Sequence, residues 1–189
     1  MSKIWLISLA SILTIASVIT PAFAASVHFK GDHSLPSFTD NTGTPNPLTL
    51  TASGAISGLG FGDVNITITA TAQPTATCGN PGSKQTQAPG QNPAVVSVSG
   101  SQAIPASEVK NGNVAFSVAT SPPTNPIPGA PGCPNTSWTE TITDLAFLTA
   151  TVTVQQPPGT VVLTAACSFS PPTTGGPVPS GTISCTVTP

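Results

Sequence analysis

From Leu145 to Val187, apolar and polar residues alternate in three runs joined by Pro- and Gly-rich connections, and no other feature restricts the fold as strongly. In the first run Leu148, Ala150, Val152 and Val154 share one parity, while Thr149, Thr151, Thr153 and Gln155 take the other. Beyond Gln156-Pro157-Pro158-Gly159, the second run places Val161, Leu163, Ala165, Cys167 and Phe169 on one face. Beyond the stretch from Pro171 to Pro179, the third does the same with Ile183, Cys185 and Val187. A period of two interrupted by turn residues is the pattern of half-buried antiparallel strands, so this region reads as a three-stranded meander. Setting Cys167 opposite Cys185 also sets Phe169 opposite Ile183 and Ala165 opposite Val187, so that apolar side chains meet apolar partners.

The same period recurs upstream. Leu48, Leu50 and Ala52 alternate with threonines and Ser53, and a glycine-rich run from Gly58 to Gly62 follows. Val64, Ile66, Ile68, Ala70 and Ala72 then alternate with Asn65, Thr67, Thr69 and Thr71 in a strand whose β-branched content suits a pleated surface. Pro74 is expected to end this strand or to place its continuation at an edge. Ala94, Val96 and Val98 open another run. Asn111-Gly112 before Val114, Phe116 and Val118 predicts a two-residue hairpin, because both central positions of a type I′ turn require positive φ.

About eight or nine such strands, with no helical period after the N-terminal segment, predict an all-β, two-sheet antiparallel sandwich that is immunoglobulin-like in the broad sense. The strict immunoglobulin hallmarks are missing: the chain has no Tyr for a tyrosine corner, and Trp138 lies far from Cys78. Residues 25–46, with His28, Phe29, Lys30, Asp32 and His33, hold no sustained period and read as an irregular N-terminal arm or first strand, leaving 47–189 as the single sandwich domain.

Lys3, an apolar run from Ile4 to Ile19 and the site Ala22-Phe23-Ala24 form a secretory signal peptide over residues 1–24. No second hydrophobic segment follows, so no transmembrane segment is expected in the mature chain. Export makes the four cysteines candidates for two disulfides. Cys167–Cys185 would close a hairpin and Cys78–Cys133 would join two long Pro/Gly loops. A bridge from Cys78 to Cys167 between the sheets is the rival arrangement.

Charge excludes several function classes. Only 5% of residues are charged, there is no Arg, and Lys30, Lys84 and Lys110 are scattered, so the clustered cations needed to displace counterions from nucleic acid are missing. Anionic membrane surfaces are disfavoured for the same reason. His28 and His33 with Asp32 match no metal-binding spacing, and Asp40-Asn41 and Asp63 form no calcium-loop motif, so neither a metal nor another cofactor is expected. Catalytic constellations are equally weak. No G-x-S-x-G occurs, and Glu108 and Glu140 read as solvated surface positions. Asn65-Ile66-Thr67 and Asn135-Thr136-Ser137 make Asn65 and Asn135 candidate glycosylation sites, and Trp138 is the candidate ligand contact for a sugar face.

The run Ser57-Gly58-Leu59-Gly60-Phe61-Gly62-Asp63-Val64 occurs with Asn92-Pro93, Ile104-Pro105-Ala106-Ser107, Lys110-Asn111-Gly112 and Cys133-Pro134. Together these resemble small secreted proteins of microbes. The resemblance spans most of the mature chain and implies export and a common domain, but supplies no site. The functional expectation is an exported, non-enzymatic structural or adhesive protein of the cell surface or extracellular matrix, with partners among exported proteins, glycans or further copies of itself. A secreted carbohydrate- or protein-binding module is the alternative.

Overall fold

The computed structural model describes residues 26–31, 34–43, 47–79, 88–89, 94–126, 133 and 137–189. The segment read as a signal peptide, and with it Asp32, His33 and Asn135, lies outside the described residues. The rest is all-β: two antiparallel sheets, one of five strands and one of six, packed face to face.

In the five-stranded sheet, β3 (Leu50–Ser57) is central. On one side it pairs with β7 (Val114–Ala119), on the other with β1 (His28–Lys30) and β2 (Ser37–Asp40) laid end to end, and β10 (Gly176–Pro177) adds to β2. The segment read as an irregular arm thus supplies two strands to a sheet. Phe29 and Phe38, both 2% exposed, hold it there. In the six-stranded sheet, β4 (Val64–Gly79) and β8 (Thr139–Gln155) are central. β9 (Val161–Phe169) and then β11 (Ile183–Thr188) flank β8, while β6 (Val96–Ile104) and β5 (Ala88–Pro89) follow one another along the far side of β4.

The meander has the register read from its sequence: Cys167 pairs with Cys185, Phe169 with Ile183 and Ala165 with Val187. The inner faces of the sheets form one core, in which Phe38 of β2 meets Phe169 of β9 edge to face across the sandwich, ring centroids 5.1 Å apart. Phe116 stands opposite Gly54, an inward-facing residue of β3 whose missing side chain leaves room for the Phe116 ring, and Phe29 packs against that ring with centroids 6.1 Å apart.

Three details depart from strict alternation. β4 runs through Pro74, which pairs with Leu145. Pro74 falls between the last residue paired with β6, Ala72, and the first paired with β5, Thr77, so the missing N–H costs no ladder bond there. β8 slips register against β4 at Leu148 and again at Thr143. Each slip swaps the faces of the strand. Phe147 and Leu145 therefore become fully buried while Leu148 does not, and beyond the second slip Ile142 and Glu140 turn inward. Glu140, expected on a solvated surface, is buried beside Cys78. A third slip at Gln155 leaves Val161 half exposed.

Both disulfides form as expected, Cys78–Cys133 and Cys167–Cys185. A polar clamp joins the two sheets elsewhere. Buried Asp40 on β2 accepts the Thr173 hydroxyl at 2.5 Å, the Gly175 N–H at 3.1 Å and the Thr42 N–H at 3.0 Å. Thr173 in turn exchanges two bonds with the backbone of Phe147, at 2.9 and 3.1 Å, beside the slip in β8. Removing this acceptor leaves the buried Thr173 hydroxyl without a partner, at about 1–3 kcal/mol, and frees two part-buried N–H groups at a smaller cost. Asp40→Ala is expected to lower the unfolding free energy by about 3 kcal/mol with an unchanged urea m-value; a loss below about 1 kcal/mol would mean that the clamp is not formed.

Candidate functional site

The outer face of the six-stranded sheet is built from the polar parity of its strands. Ser101, Thr67, Thr153, Thr164 and Thr188 stand in register across five strands. Ser99, Thr69, Thr151, Ala166 and Thr186 form the next row, and Ser97, Thr71, Thr149, Ser168 and Ser184 the third. All but Ala166 carry a hydroxyl, and all are exposed or half-exposed. Strand geometry sets the spacing of this array at about 4.8 Å between strands and roughly 6.8 Å along them. Within it Thr71 and Thr149 lie 2.6 Å apart, oxygen to oxygen. No titratable group stands among these rows, so the face offers hydroxyl donors and acceptors with interleaved methyl groups and no field of either sign.

The end of the sandwich at the start of β4 carries a second feature. The loop 58–63 presents Phe61 with complete exposure, whereas the other five described phenylalanines are at most 5% exposed. The loop is held tightly. The Gln156 side chain accepts the Gly60 N–H at 2.7 Å and donates to the Gly60 and Gly62 carbonyls at 3.0 and 3.1 Å. Leu59 is buried, and its N–H donates to the Gly112 carbonyl at 3.0 Å. The strands that flank Gly112, β6 and β7, join different sheets, so the predicted strand hairpin does not form; its two-residue turn does, closed between Lys110 and Asn113, with φ of 50° at Asn111 and 73° at Gly112. A Cβ there would come within 2.9 Å of the Leu59 carbonyl oxygen, so this close approach also demands glycine. Beside the loop an open hollow of about 300 Å³ is lined by Asp63, Val64, Asn65, Ala103, Ile104, Pro105 and Pro158.

The residues singled out from sequence are dispersed. Trp138 is half-buried just before β8, at the opposite end of the β4–β8 ribbon from Phe61. Asn65 is half-buried, and its amide donates to the Gln155 side chain at 3.3 Å. Asp40 and Asp63 serve separate loops: Asp40 forms the clamp, and Asp63 accepts the Ala106 N–H at 2.9 Å. Asn41 turns its amide to the hydroxyls of Thr49 and Thr51. His28 is exposed, with Nδ1 2.8 Å from the Ser26 carbonyl oxygen, and Glu108 is exposed in the turn 106–108. Among the described residues, no three or more His, Cys, Asp or Glu side chains gather, and no helix is long and apolar enough to cross a membrane. Sequence reading missed Phe61 as a presented aromatic. The available signal was a large apolar residue between two glycines, outside every alternating run.

Fold and surface together define the chain as a disulfide-bonded, two-sheet β protein with one extended, uncharged hydroxyl face. No protein-family model matches it, and no curated protein or solved structure matches it significantly.

Proposed function

We propose that this chain is an exported, non-enzymatic structural or adhesive protein of the cell surface or extracellular matrix, adhering through the hydroxyl face of the six-stranded sheet. The observation that carries the reading is the three-row array itself, in which strands distant in sequence place Ser and Thr in register with no charge among them. Export is supported by the Lys3 to Ala24 segment and agrees with the two disulfides. We take the sandwich to be immunoglobulin-like in the broad sense, a frame that presents one sheet face outward.

A single surface hydroxyl contributes little, because each bond to a partner replaces one to water for a net gain of about 0.5–1.5 kcal/mol. Fourteen such groups held in register on a rigid sheet act together, and their contacts with a polyhydroxylated surface accumulate by avidity. Contacts of this kind do not depend on screening. The chain is expected to be retained on insoluble polysaccharide particles equally at ~10 mM and ~1 M salt, conditions between which the Debye length falls from about 30 Å to 3 Å. A Thr69→Lys, Thr151→Lys double variant with an unchanged thermal transition is expected to lose at least ~10-fold in retention. Retention that falls with salt, or that the double variant keeps, would overturn this use of the face.

The second reading, a carbohydrate- or protein-binding module, draws on Trp138, which is half-exposed where the chain enters β8. Glycan-array binding lost in a folded Trp138→Ala variant would favour it.

A further inference from the structure

We propose that the chain pairs with a second copy of itself end to end, the Phe61 ring of each copy seated in the hollow beside Phe61 on the other. Two features of the same end of the sandwich point to this. The first is a knob. Phe61 is 107% exposed, so its ring packs against none of the described residues, and yet the loop that carries it is pinned by Gln156 and by buried Leu59. A large apolar side chain that stays in water on a rigid loop has no internal reason for its position. It also loses little freedom on docking, which is the usual cost that weakens loop-borne contacts.

The second feature is a hole. The hollow between the start of β4 and the end of β6 has buried Val64 and Ile104 among its walls, with Pro105 and Pro158 at its exposed edge. Its volume is about 300 Å³, and a cavity of about 150 Å³ lined by aliphatic side chains is known to hold benzene. A phenyl ring therefore fits. Because Phe61 stands only two residues from Asp63 in the lining of this hollow, knob and hole belong to one surface patch. A two-fold axis through that patch satisfies both copies at once and closes the assembly at two, as self-complementary patches do. Each buried phenyl ring removes roughly 150–250 Å² from water and covers a like area of the opposing hollow, so two rings bury about 600–1,000 Å² in all, the range of weak, transient pairing. The pairing is accordingly expected to be reversible, with a dissociation constant in the micromolar range. It goes beyond the adhesive reading and does not depend on the hydroxyl face.

Sedimentation equilibrium of the purified chain with both disulfides intact, from about 1 to 300 μM, tests the proposal. The expected result is a monomer–dimer equilibrium that Phe61→Ser weakens at least ~10-fold. Ala103→Trp, which fills the hollow from its exposed rim, is expected to weaken it similarly. Gln156→Ala, which frees the loop while leaving Phe61 in place, is expected to weaken it to a smaller degree. Thermal transitions of Phe61→Ser and Ala103→Trp are expected to match the parent, since both positions are exposed. The Thr69→Lys, Thr151→Lys variant should keep its dimer, which separates this proposal from failure of the adhesive one. A chain that stays monomeric throughout, a dimer indifferent to Phe61→Ser, or open-ended growth beyond two copies would each overturn it.

Discussion

Replacing Cys78 and Cys133 together by alanine is expected to lower the unfolding free energy by about 4 kcal/mol, a large share of the roughly 5–15 kcal/mol that holds an average domain together. The bridge ties positions 55 residues apart, whereas Cys167–Cys185 ties positions 18 apart on neighbouring strands. Cross-linking restricts the unfolded chain by an amount that grows with the logarithm of the loop, so the shorter bridge is expected to contribute about 3 kcal/mol. The two losses should also differ in place. Cys78 is buried near the far end of the β4–β8 ribbon, beyond the last residue of β4 that pairs with β6. Hydrogen exchange in the Cys78→Ala, Cys133→Ala variant is expected to quicken first in residues 74–79 and 139–145, while residues 65–72, paired on both sides, keep their protection. Loss of the Cys167–Cys185 bridge should instead expose β11, which among the described strands pairs with β9 alone. Equal and uniform losses from the two pairs would contradict this division.

Gly100→Ala is expected to be nearly as damaging although it adds a single methyl group. Gly100 lies on β6 where the two sheets approach at their shared edge, and a Cβ there would sit 1.8 Å from the Ala119 carbonyl oxygen and 2.8 Å from its carbon. The opposing backbone cannot simply give way. Thr120 N–H donates to the Leu50 carbonyl at 2.9 Å, its hydroxyl accepts the Leu50 N–H at 3.0 Å, and Ser121 N–H donates to Ser99 at 2.8 Å. Relief of the overlap must break these bonds or part β6 from β7, at about 3 kcal/mol or more. At about 2–4 °C per kcal/mol for a chain of this size, the melting temperature should fall by roughly 6–12 °C. Gly181→Ala makes the control, because its added Cβ meets nothing within 4 Å, and a change within about 0.5 kcal/mol is expected. Matching transitions for the two variants would mean that β6 and β7 do not approach as described.

Much of this architecture was legible because a strand in a half-buried sheet writes its own pattern. Val64, Ile66, Ile68, Ala70 and Ala72 are all buried, as their alternation required, and Asn111-Gly112 forms the two-residue turn whose φ values only such residues tolerate. The register of β9 with β11 followed from matching two cysteines and their apolar neighbours. Other features left no local trace. Leu148 carries the right parity for the core, but the slip against β4 turns it aside and buries Phe147 instead. The same mechanism carries Glu140 inward. Phe29 and Phe38 sit in a stretch too irregular to show a period, and the partner strand rather than their own sequence makes them β.

By itself the sequence determined most of the strands, the outward parity of the Thr and Ser residues and the facing of Cys167 with Cys185, because each is a property of neighbours along the chain or of one hairpin; the partner of Cys78, 55 residues from Cys133, it left open. The tertiary structure alone decided where the ladders slip, which glycine lies against another backbone, which acids are taken up as acceptors, and how five separate strands bring their hydroxyls into one array. It also decided the position of Phe61. Gln156 and Gly112, which hold its loop, are distant in sequence, and the contacts they make exist only once the sheets have packed.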